Sequence, residues 1–504
     1  MRPLRLSVAA LLAGALVLLS GAPASAHADR ERAQRLRAEY AAGAASAVSL
    51  VISPRVHLVD SVPGSAGISG CFLRTAPLFV TSNLDSVKVY DVRSAAHPRL
   101  VGTLPSAQFE NESMNCGERR TASGTRRFAL IGVDLYQASA DDITHADVRP
   151  GLGSYQLVVV DVTDPTKPHI ASRVNATTST HTVTCIGVGS CQYAYSAGTG
   201  DSFSVLDLRD LAHPREVDAD PAKAGVQPFH SPTAGHKWNV DAAGYATNTG
   251  WNGTSMWDVS RPRHPRLVTT TGRAGRGTDP RYPGWNDFIH HNAFRPNAKA
   301  FRPGAAPSVR NGNVLLVTEE DYEQTDCALA GSFQTWWVKR LDGTPSAIVP
   351  LDKVELADLG TFPVPRDTFC SAHWFSYHPS GIVAAGFYGG GTQLVDVRDA
   401  RHLKAYGHAS WGASEVWDAL WVPKYDKAGV DTGRKTHLVY SVDLVRGLDV
   451  YAVDLPGETT GSSLTPLSSA SVGPGGALPL ALVGLALPLA ALLRRRAVLR
   501  GRVT

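Results

Sequence analysis

The sequence predicts an all-β repeat protein, and two observations support this prediction. The first is a phrase of apolar residues that ends in Asp, continues through a polar turn and leads into a second short strand. Its copies are VKVYDVRSAAHPRLVGTL from Val87, LVVVDVTDPTKPHIASRV from Leu157, FSVLDLRDLAHPREVD from Phe203, TSMWDVSRPRHPRLVT from Thr254 and TQLVDVRDARHLKAYG from Thr392. The second is that helical periodicity is almost absent outside Asp29–Ala45. A unit repeated at this spacing is typical of repeat architectures.

The Asp that ends each apolar strand has a structural interpretation. Asp side chains accept hydrogen bonds from backbone N–H groups two residues ahead and so stabilise the turn after a strand. We therefore expect these aspartates to fix turns and not to act in catalysis. They are Asp91, Asp161, Asp207, Asp258 and Asp396. We also expect His97, His213 and His264, each followed by Pro, to lie on the surface.

Counting the repeats gives seven units. They span 71–105, 115–174, 181–218, 236–271, 289–356, 370–407 and 415–455. The seventh unit stops after LDVYAVDL and lacks its closing strand, whereas Arg55–Pro63 resembles the outer strand Pro98–Pro105 of unit one. A closed ring removes the exposed strand edges that this arrangement would otherwise leave. The sequence therefore predicts a seven-bladed β-propeller over residues 55–455, closed by the N-terminal strand, with six or eight blades as alternatives.

The N-terminal end has the pattern of a secretory signal peptide. Arg2 and Arg5 precede an apolar run that ends in the small-residue string Ala24-Ser25-Ala26. We assign residues 1–26 to the signal peptide, with a membrane anchor as the alternative, and residues 27–54 to a helical or linker segment. The protein is therefore expected to be exported.

The C-terminal end has the pattern of a membrane anchor. Residues 456–476 are rich in Gly, Ser, Thr and Pro, which is typical of a flexible stalk. Residues 477–493 are uncharged and long enough for a transmembrane helix, and the basic tail 494–504 follows. Because arginines stay in the cytoplasm, we expect a single-pass cell-membrane protein with the propeller outside and the C-terminus inside.

Six cysteines in an exported chain fit three disulfides. Several pairings are possible, and proximity in sequence favours Cys185 with Cys191, Cys71 with Cys116 and Cys327 with Cys370. The net charge of +4 is small for this length, and no basic patch is interleaved with aromatic residues, so we expect no nucleic-acid partner. No nucleophile elbow or phosphate-binding loop occurs, and no catalytic residue can be assigned.

The repeated phrases resemble the LVIVD-repeat family of bacterial secreted or membrane-anchored proteins. Leu157-Val158-Val159-Val160-Asp161-Val162 is the copy nearest to the family pattern, and the resemblance covers about 55–455. It implies a β-propeller and no settled activity. A more distant likeness, in fold and histidine content, is to the selenium-binding protein and methanethiol oxidase propellers, and it is an analogy because it rests on no shared motif.

Four consecutive units each place a histidine where their first strand begins. These residues are His181, His236, His291 and His373. Since inner strands line the central channel of a propeller, we expect them to converge at one mouth, with Glu320 as a carboxylate neighbour. Glu319, Asp321, Glu415 and Asp418 are further acidic candidates. Such a set could bind Zn, Cu, Fe or Ni. The alternative is that these histidines only line the channel and fix blade packing.

Two functions remain open from sequence. The first is a cell-surface binding module for an extracellular protein or glycan, because propellers often serve as interaction platforms. The second is a metal-dependent enzyme, such as an oxidoreductase, with the histidine cluster at the channel mouth. Bound metal would distinguish the second function from the first.

Overall fold

The structure is a computed structural model. It describes residues 50–63, 67–83, 86–105, 112–134, 155–187, 190–233, 235–272, 285, 288–321, 323–324, 326–344, 346–360, 369–412 and 414–457. The assigned signal peptide 1–26, the stalk from residue 458 onward, the membrane segment 477–493 and the tail 494–504 lie outside these residues. Within the described ranges, no helix has the length and apolar character needed to cross a membrane.

The chain forms short β-strands. In order they are β1 (Leu50–Ile52), β2 (Val56–Pro63), β3 (Gly67–Phe72), β4 (Leu78–Asn83), β5 (Ser86–Asp91), β6 (Arg99–Pro105), β7 (Asn115–Thr121), β8 (Gly124–Asp134), β9 (Tyr155–Asp161), β10 (His169–Asn175), β11 (Thr182–Ile186), β12 (Tyr193–Ala197), β13 (Ser202–Phe203), β14 (Val205–Asp207), β15 (Arg215–Glu216), β16 (Phe229–His230), β17 (Gly235–Val240), β18 (Tyr245–Gly250), β19 (Gly253–Asp258), β20 (Arg266–Thr270), β21 (Ile289–Phe294), β22 (Val314–Glu320), β23 (Ser332–Val338), β24 (Ile348–Glu355), β25 (Phe375–His378), β26 (Ile382–Gly386), β27 (Thr392–Asp396), β28 (Lys404–Trp411), β29 (Val416–Tyr425), β30 (Asp431–Asp443) and β31 (Gly447–Val453). Short 3₁₀ helices lie at Ala298–Ala300, Val309–Asn311 and Leu356–Leu359.

Seven antiparallel sheets form the blades of the propeller. The sheets are β3–β6 in blade 1, β7–β10 in blade 2, β11, β12, β14 and β15 in blade 3, β17–β20 in blade 4, β21–β24 in blade 5, β25–β28 in blade 6 and β29–β31 in blade 7. The first strand of each blade is the innermost, and β29 contacts β3, which joins blade 7 to blade 1. The predicted all-β seven-bladed propeller is therefore confirmed.

Strand β2 closes the ring. It pairs antiparallel with β31 and supplies the fourth strand that blade 7 lacks, as the sequence predicts. We expected residues 27–54 to precede the propeller, but β1 pairs with β28 and adds a fifth strand to blade 6. The backbone groups on the outer edge of β28 are thereby hydrogen-bonded instead of exposed.

The apolar core lies between the blades. Each pair of neighbouring blades encloses one cluster of buried side chains, which gives seven clusters between blades among the described residues. An eighth, smaller cluster contains Ile68, Tyr388 and Trp417. Strand β9 illustrates the cause, because Leu157–Val160 are all buried and each face of the strand meets a different neighbouring blade. A strand covered on both faces is a continuous apolar run, which explains the repeated phrase.

The aspartates of the phrase fix turns, as predicted. Each accepts a hydrogen bond from the backbone N–H two residues ahead, at 2.8 to 3.1 Å. The pairs are Asp91 with Arg93, Asp161 with Thr163, Asp207 with Arg209, Asp258 with Ser260 and Asp396 with Arg398. His97 and His213 are exposed, at 65% and 85% of their side chains, as the sequence also predicts.

Three disulfides join the cysteines in the pairing favoured by sequence proximity: Cys71–Cys116, Cys185–Cys191 and Cys327–Cys370. The first links blade 1 to blade 2, and the second closes the short loop between β11 and β12. The third ties the segment after β22 to the segment before β25. Such bonds persist in an oxidising compartment.

Ring closure predicts a strong effect of a charge in β2. Val56 is 4% exposed within the cluster between blades 6 and 7. Val56→Asp buries an unpaired carboxylate, so we expect the free energy of unfolding to fall by about 3 kcal/mol or more in chemical denaturation. Val226→Asp, at a site 41% exposed, is the matched control and should change it by less than about 0.5 kcal/mol. Equal effects at both sites would contradict the closure by β2.

The disulfides predict unequal stabilisation. A disulfide lowers the conformational entropy of the unfolded chain, and this effect grows with the length of the loop that it closes. The separations are 45 residues for Cys71–Cys116 and 6 for Cys185–Cys191. Replacing both cysteines by serine should cost about 4 kcal/mol for the first pair and about 2 kcal/mol for the second in urea titrations. The Cys327–Cys370 pair, separated by 43 residues, should behave like the first. A larger loss from the six-residue loop would refute this ranking.

Candidate metal centre

Four histidines come from the starts of four consecutive inner strands. His181 directly precedes β11, His236 and His291 lie early in β17 and β21, and His373 lies two residues before β25. The inner strands run in the same direction through the ring, so their starts lie at the same end of the channel. This geometry brings together imidazoles that are far apart in sequence.

Two of these histidines are placed by β-bulges. In β17 the pairing with β18 shifts between Gly235 and Lys237, so His236 is the additional residue. In β21 the same shift occurs around His291. A bulge redirects a side chain that regular alternation would send to the other face, and bulges are frequent next to functional sites. The neighbour His290 points away and bonds through Nδ1 to Thr254 Oγ1 at 2.8 Å.

The imidazoles meet at one carboxylate oxygen, Oε2 of Glu112. The distances from Oε2 to Nε2 are 3.2 Å for His181, 3.4 Å for His236, 3.3 Å for His291 and 3.8 Å for His373. Glu112 precedes β7 of blade 2, and its side chain is fully buried. We call these five residues with Glu320 the His–Glu cluster.

Glu320 joins the cluster from the end of β22. Its Oε2 lies 3.6 Å from Nε2 of His291, and its Oε1 accepts a hydrogen bond from the Tyr388 hydroxyl at 2.5 Å. The ring of Tyr388 also packs on His373, with the ring centres 4.6 Å apart. Tyr388 has φ 46°, in the left-handed region that bulky residues avoid at a cost of roughly 1–2 kcal/mol. Such local strain is often retained at functional sites.

The other acidic candidates have different positions. Glu319 accepts hydrogen bonds from the Phe288 N–H and the Ser332 hydroxyl, and Asp321 accepts the N–H groups of the turn after β22. Glu415 accepts the indole N–H of Trp417 at 3.0 Å. Asp418 lies further along the channel and accepts the Ser69 hydroxyl at 3.1 Å. Of the acidic residues proposed from sequence, Glu320 is the one that enters the cluster.

Backbone and aromatic groups orient the cluster. Nδ1 of His373 lies 2.7 Å from the carbonyl oxygen of Trp417, and a carbonyl only accepts, so Nδ1–H donates and Nε2 presents its lone pair to the cluster. The indole of Trp374 donates to the Glu112 carbonyl at 3.0 Å and packs 4.1 Å from the His291 ring. Outer hydrogen bonds of this kind orient metal-ligating histidines.

Burial governs the charges of the cluster. It lowers the pKa of His236 to about 3 and the pKa of His291 well below its usual range, so both imidazoles are neutral. Burial alone would raise the pKa of Glu112. Electrostatic attraction to His181 and a hydrogen bond with it instead hold this pKa well below its usual range. Further along the channel, burial raises the pKa of Asp418 to about 7 and lowers that of Lys237 to about 8.

These groups fit a transition-metal ion. Ligand atoms at about 2.0–2.2 Å from one ion lie about 3–4 Å from their neighbours, and the distances of 3.2 to 3.8 Å fall in this interval. The ligand atoms form two overlapping sets, each within 4.8 Å. One contains Glu112, His291, Glu320 and His373, and the other contains Glu112, His181 and His236.

Sequence reasoning found the four histidines and Glu320 but missed Glu112. Glu112 lies just before the inner strand of blade 2. In blade 3, the next blade along the chain, His181 lies just before the inner strand. The signal that could have found it is a carboxylate three residues before the predicted inner strand of unit two. Tyr388 was missed for another reason, because its Gly-rich turn indicates only a tight connection between strands.

Neither a protein-family model nor a curated protein sequence matches the chain. Among solved structures, the chain is similar to the β-propeller domain of Cps50 (Swd1) from Myceliophteria thermophila. The identity is 11%, the match covers 79% of this chain and 100% of that chain, and the TM-score is 0.47. The seven-bladed ring rests on the strand pairing itself, and the likeness says nothing about function.

Proposed function

We propose that this chain is a β-propeller metalloprotein that binds a transition-metal ion at one end of its axis. The observation that carries the proposal is the convergence of four buried imidazole nitrogens on one buried carboxylate oxygen, within 3.8 Å. The ligands would be His181, His236, His291 and His373, with Glu112 and Glu320 as carboxylates. A cluster of this kind is costly to bury without an ion that it can bind.

The donor set points to the class of metal. Imidazole nitrogen suits Zn, Cu, Fe and Ni, whereas Mg and Ca prefer oxygen donors. A bound ion of the first class would supply Lewis acidity or, for Cu and Fe, electron transfer. The side chains of Trp374 and Tyr388 would pack against the ligands and limit the access of water. We propose a metal-dependent enzyme, with an oxidoreductase as the class that this shielded site suits best.

We further propose that the protein is exported and anchored at the cell membrane as a member of the LVIVD-repeat family. The support is the set of repeated phrases, the signal-peptide pattern at 1–26 and the apolar run at 477–493. Three disulfides agree with an extracellular position.

A binding module is the second candidate, and one surface feature favours it. A groove of about 590 Å³ lies between blades 1, 2 and 7. Arg93, Arg99, Arg127 and Lys427 line it, together with Asp91 and Asp426. An extracellular protein or glycan with acidic groups would fit this groove. Binding there requires no metal, so the two functions are separable by experiment.

The metal site predicts retention of metal that depends on the buried histidines. We expect near-stoichiometric metal in the purified chain, or after incubation with Zn, Cu, Fe or Ni salts, by mass spectrometry. His181→Ala/His373→Ala removes two of the nitrogen ligands and should abolish the bound metal while the β-sheet circular dichroism remains.

The control for this experiment is His97→Ala/His213→Ala, which removes two exposed imidazoles and should leave the metal content unchanged. Metal lost equally from both double variants would indicate adventitious binding. Absence of metal from the wild type after all four incubations would leave the binding module as the function.

Tyr388→Phe should weaken the metal site without disturbing the fold. It removes the hydroxyl that donates to Glu320 and keeps the ring against His373. Loss of an outer hydrogen bond to a metal ligand typically costs roughly 10–100-fold in metal affinity, and we expect a decrease of that size in titrations against a competing chelator.

Tyr195→Phe is the matched control. Its hydroxyl donates to the Pro262 carbonyl at 2.6 Å, at a contact outside the His–Glu cluster. We expect this variant to keep the wild-type metal affinity. If the two variants bind metal equally well, Glu320 is not held as a ligand by Tyr388.

A further inference from the structure

Lys237 is a buried cation beside the His–Glu cluster. It follows the bulge residue His236 in β17 and is 6% exposed. Its Nζ donates a hydrogen bond to the Ser113 hydroxyl at 2.6 Å and lies 5.2 Å from the centre of the Trp374 ring. The ammonium therefore points into the channel and not toward solvent.

The neighbours of Lys237 are also neighbours of the cluster. Ser113 directly follows Glu112, and the Trp374 indole donates to the Glu112 carbonyl at 3.0 Å. The same indole ring lies 4.1 Å from the ring of His291 and 6.0 Å from that of His236. The ammonium and the imidazoles thus share one wall of the channel.

Lys237 has no carboxylate within salt-bridge distance among the residues that the structure describes. Asp418 and Glu112 attract it electrostatically, but Asp418 is hydrogen-bonded to Ser69. An ammonium that is buried without an ion pair costs several kcal/mol. The Ser113 hydroxyl accepts a hydrogen bond from one of the three N–H donors of the ammonium, and the Trp374 ring lies against it.

A cavity lies against the later residues of the inner strands of blades 2 to 4, downstream in sequence of Ser113 and Lys237. Its volume is about 290 Å³, and Asn115 and Asn239 belong to its lining. Asn239 lies two positions after Lys237 in β17, so these two side chains share one face of that strand, and Asn115 lies two positions after Ser113. A space of this size suits a small molecule rather than a polymer.

We propose that Lys237 binds the anionic group of a small ligand, a carboxylate or another monoanion, that enters the channel next to the metal. This inference rests on the proposed metal site. A divalent ion would offset the charges of Glu112 and Glu320, so the ammonium remains to pair with a ligand anion. In this buried setting a charge-assisted hydrogen bond is strong. The site would thus select anionic over neutral substrates.

The test compares formate with formamide, which have the same shape but differ in charge. The full chain is loaded with Co(II), and its visible spectrum reports on ligands that bind near the metal. Lys237→Met should raise the dissociation constant of formate by about 10-fold or more, because it removes the ammonium and keeps the length. Lys237→Arg should retain most of the affinity, and formamide should bind equally to all variants.

Two further measurements control for structural effects. Lys299→Met removes an exposed lysine from the 3₁₀ helix Ala298–Ala300 and should leave formate binding unchanged. Lys237→Met should unfold at the same temperature as the wild type or above it, because it removes a buried charge. If the methionine variant does not fold, Lys237→Gln replaces it. Unchanged formate affinity in a folded, cobalt-loaded Lys237→Met variant would overturn the inference and leave the metal site standing.

Failure of cobalt uptake would instead overturn the proposed metal site. Formate is then titrated into the metal-free chain by calorimetry. Binding that weakens in Lys237→Met would support Lys237 as an anion-binding residue without a metal. Absence of formate binding to the metal-free wild type in that case would overturn the inference as well.

Discussion

The pairing of β2 with β31 is the constraint on which the rest of the structure depends. It gives blade 7 its fourth strand, so that both faces of every blade can be covered by neighbouring blades. Each blade has four antiparallel strands and begins with its inner strand, so the inner strands all begin at the same end of the axis. The cluster follows from that common direction, since His181 and His373 meet there although two blades lie between them in the chain. Register within each blade then decides which side chains reach the channel, and the bulges at His236 and His291 adjust that register locally.

Stability and function occupy different parts of this ring. The seven apolar clusters between the blades bury the large side chains and are the main source of folding free energy. The axis instead holds carboxylates, imidazoles and an ammonium away from water, which opposes folding unless a ligand or metal binds them. The left-handed backbone of Tyr388 adds a local strain at the same end. Concentration of unfavourable features at one place, in a fold that is otherwise locally consistent, is typical of a functional site.

The sequence was a good guide wherever a residue belongs to the repeat. The apolar phrase, the turn aspartates, the closing strand and the histidines at strand starts all follow from one unit copied along the chain. The structure differs from the prediction where a residue lies outside that repeated unit. Strand β1 carries no phrase, and its partner β28 gives no sign of a free edge. Glu112 precedes its strand in a unit without a histidine, and Lys237 lies next to a bulge that alters the alternation that a sequence pattern assumes. Bulges arise from strand pairing, which a single strand does not encode.

The seven blades share one fold, but the side chains at the starts of their inner strands differ, and this difference gives the site its separate groups of side chains. Blades 3 to 6 each contribute one imidazole, so the nitrogen ligands form an arc rather than a full circle. Blades 7, 1 and 2 have no histidine at this position and present Asp418, Ser69 and Ser113 to the channel instead. Glu112 joins the two sides, because its carboxylate meets the imidazoles while Ser113, the next residue, accepts the hydrogen bond from Lys237. The imidazoles and the hydroxyl groups therefore come from different arcs of the ring, and Lys237 of blade 4 connects the two through its hydrogen bond to Ser113 of blade 2.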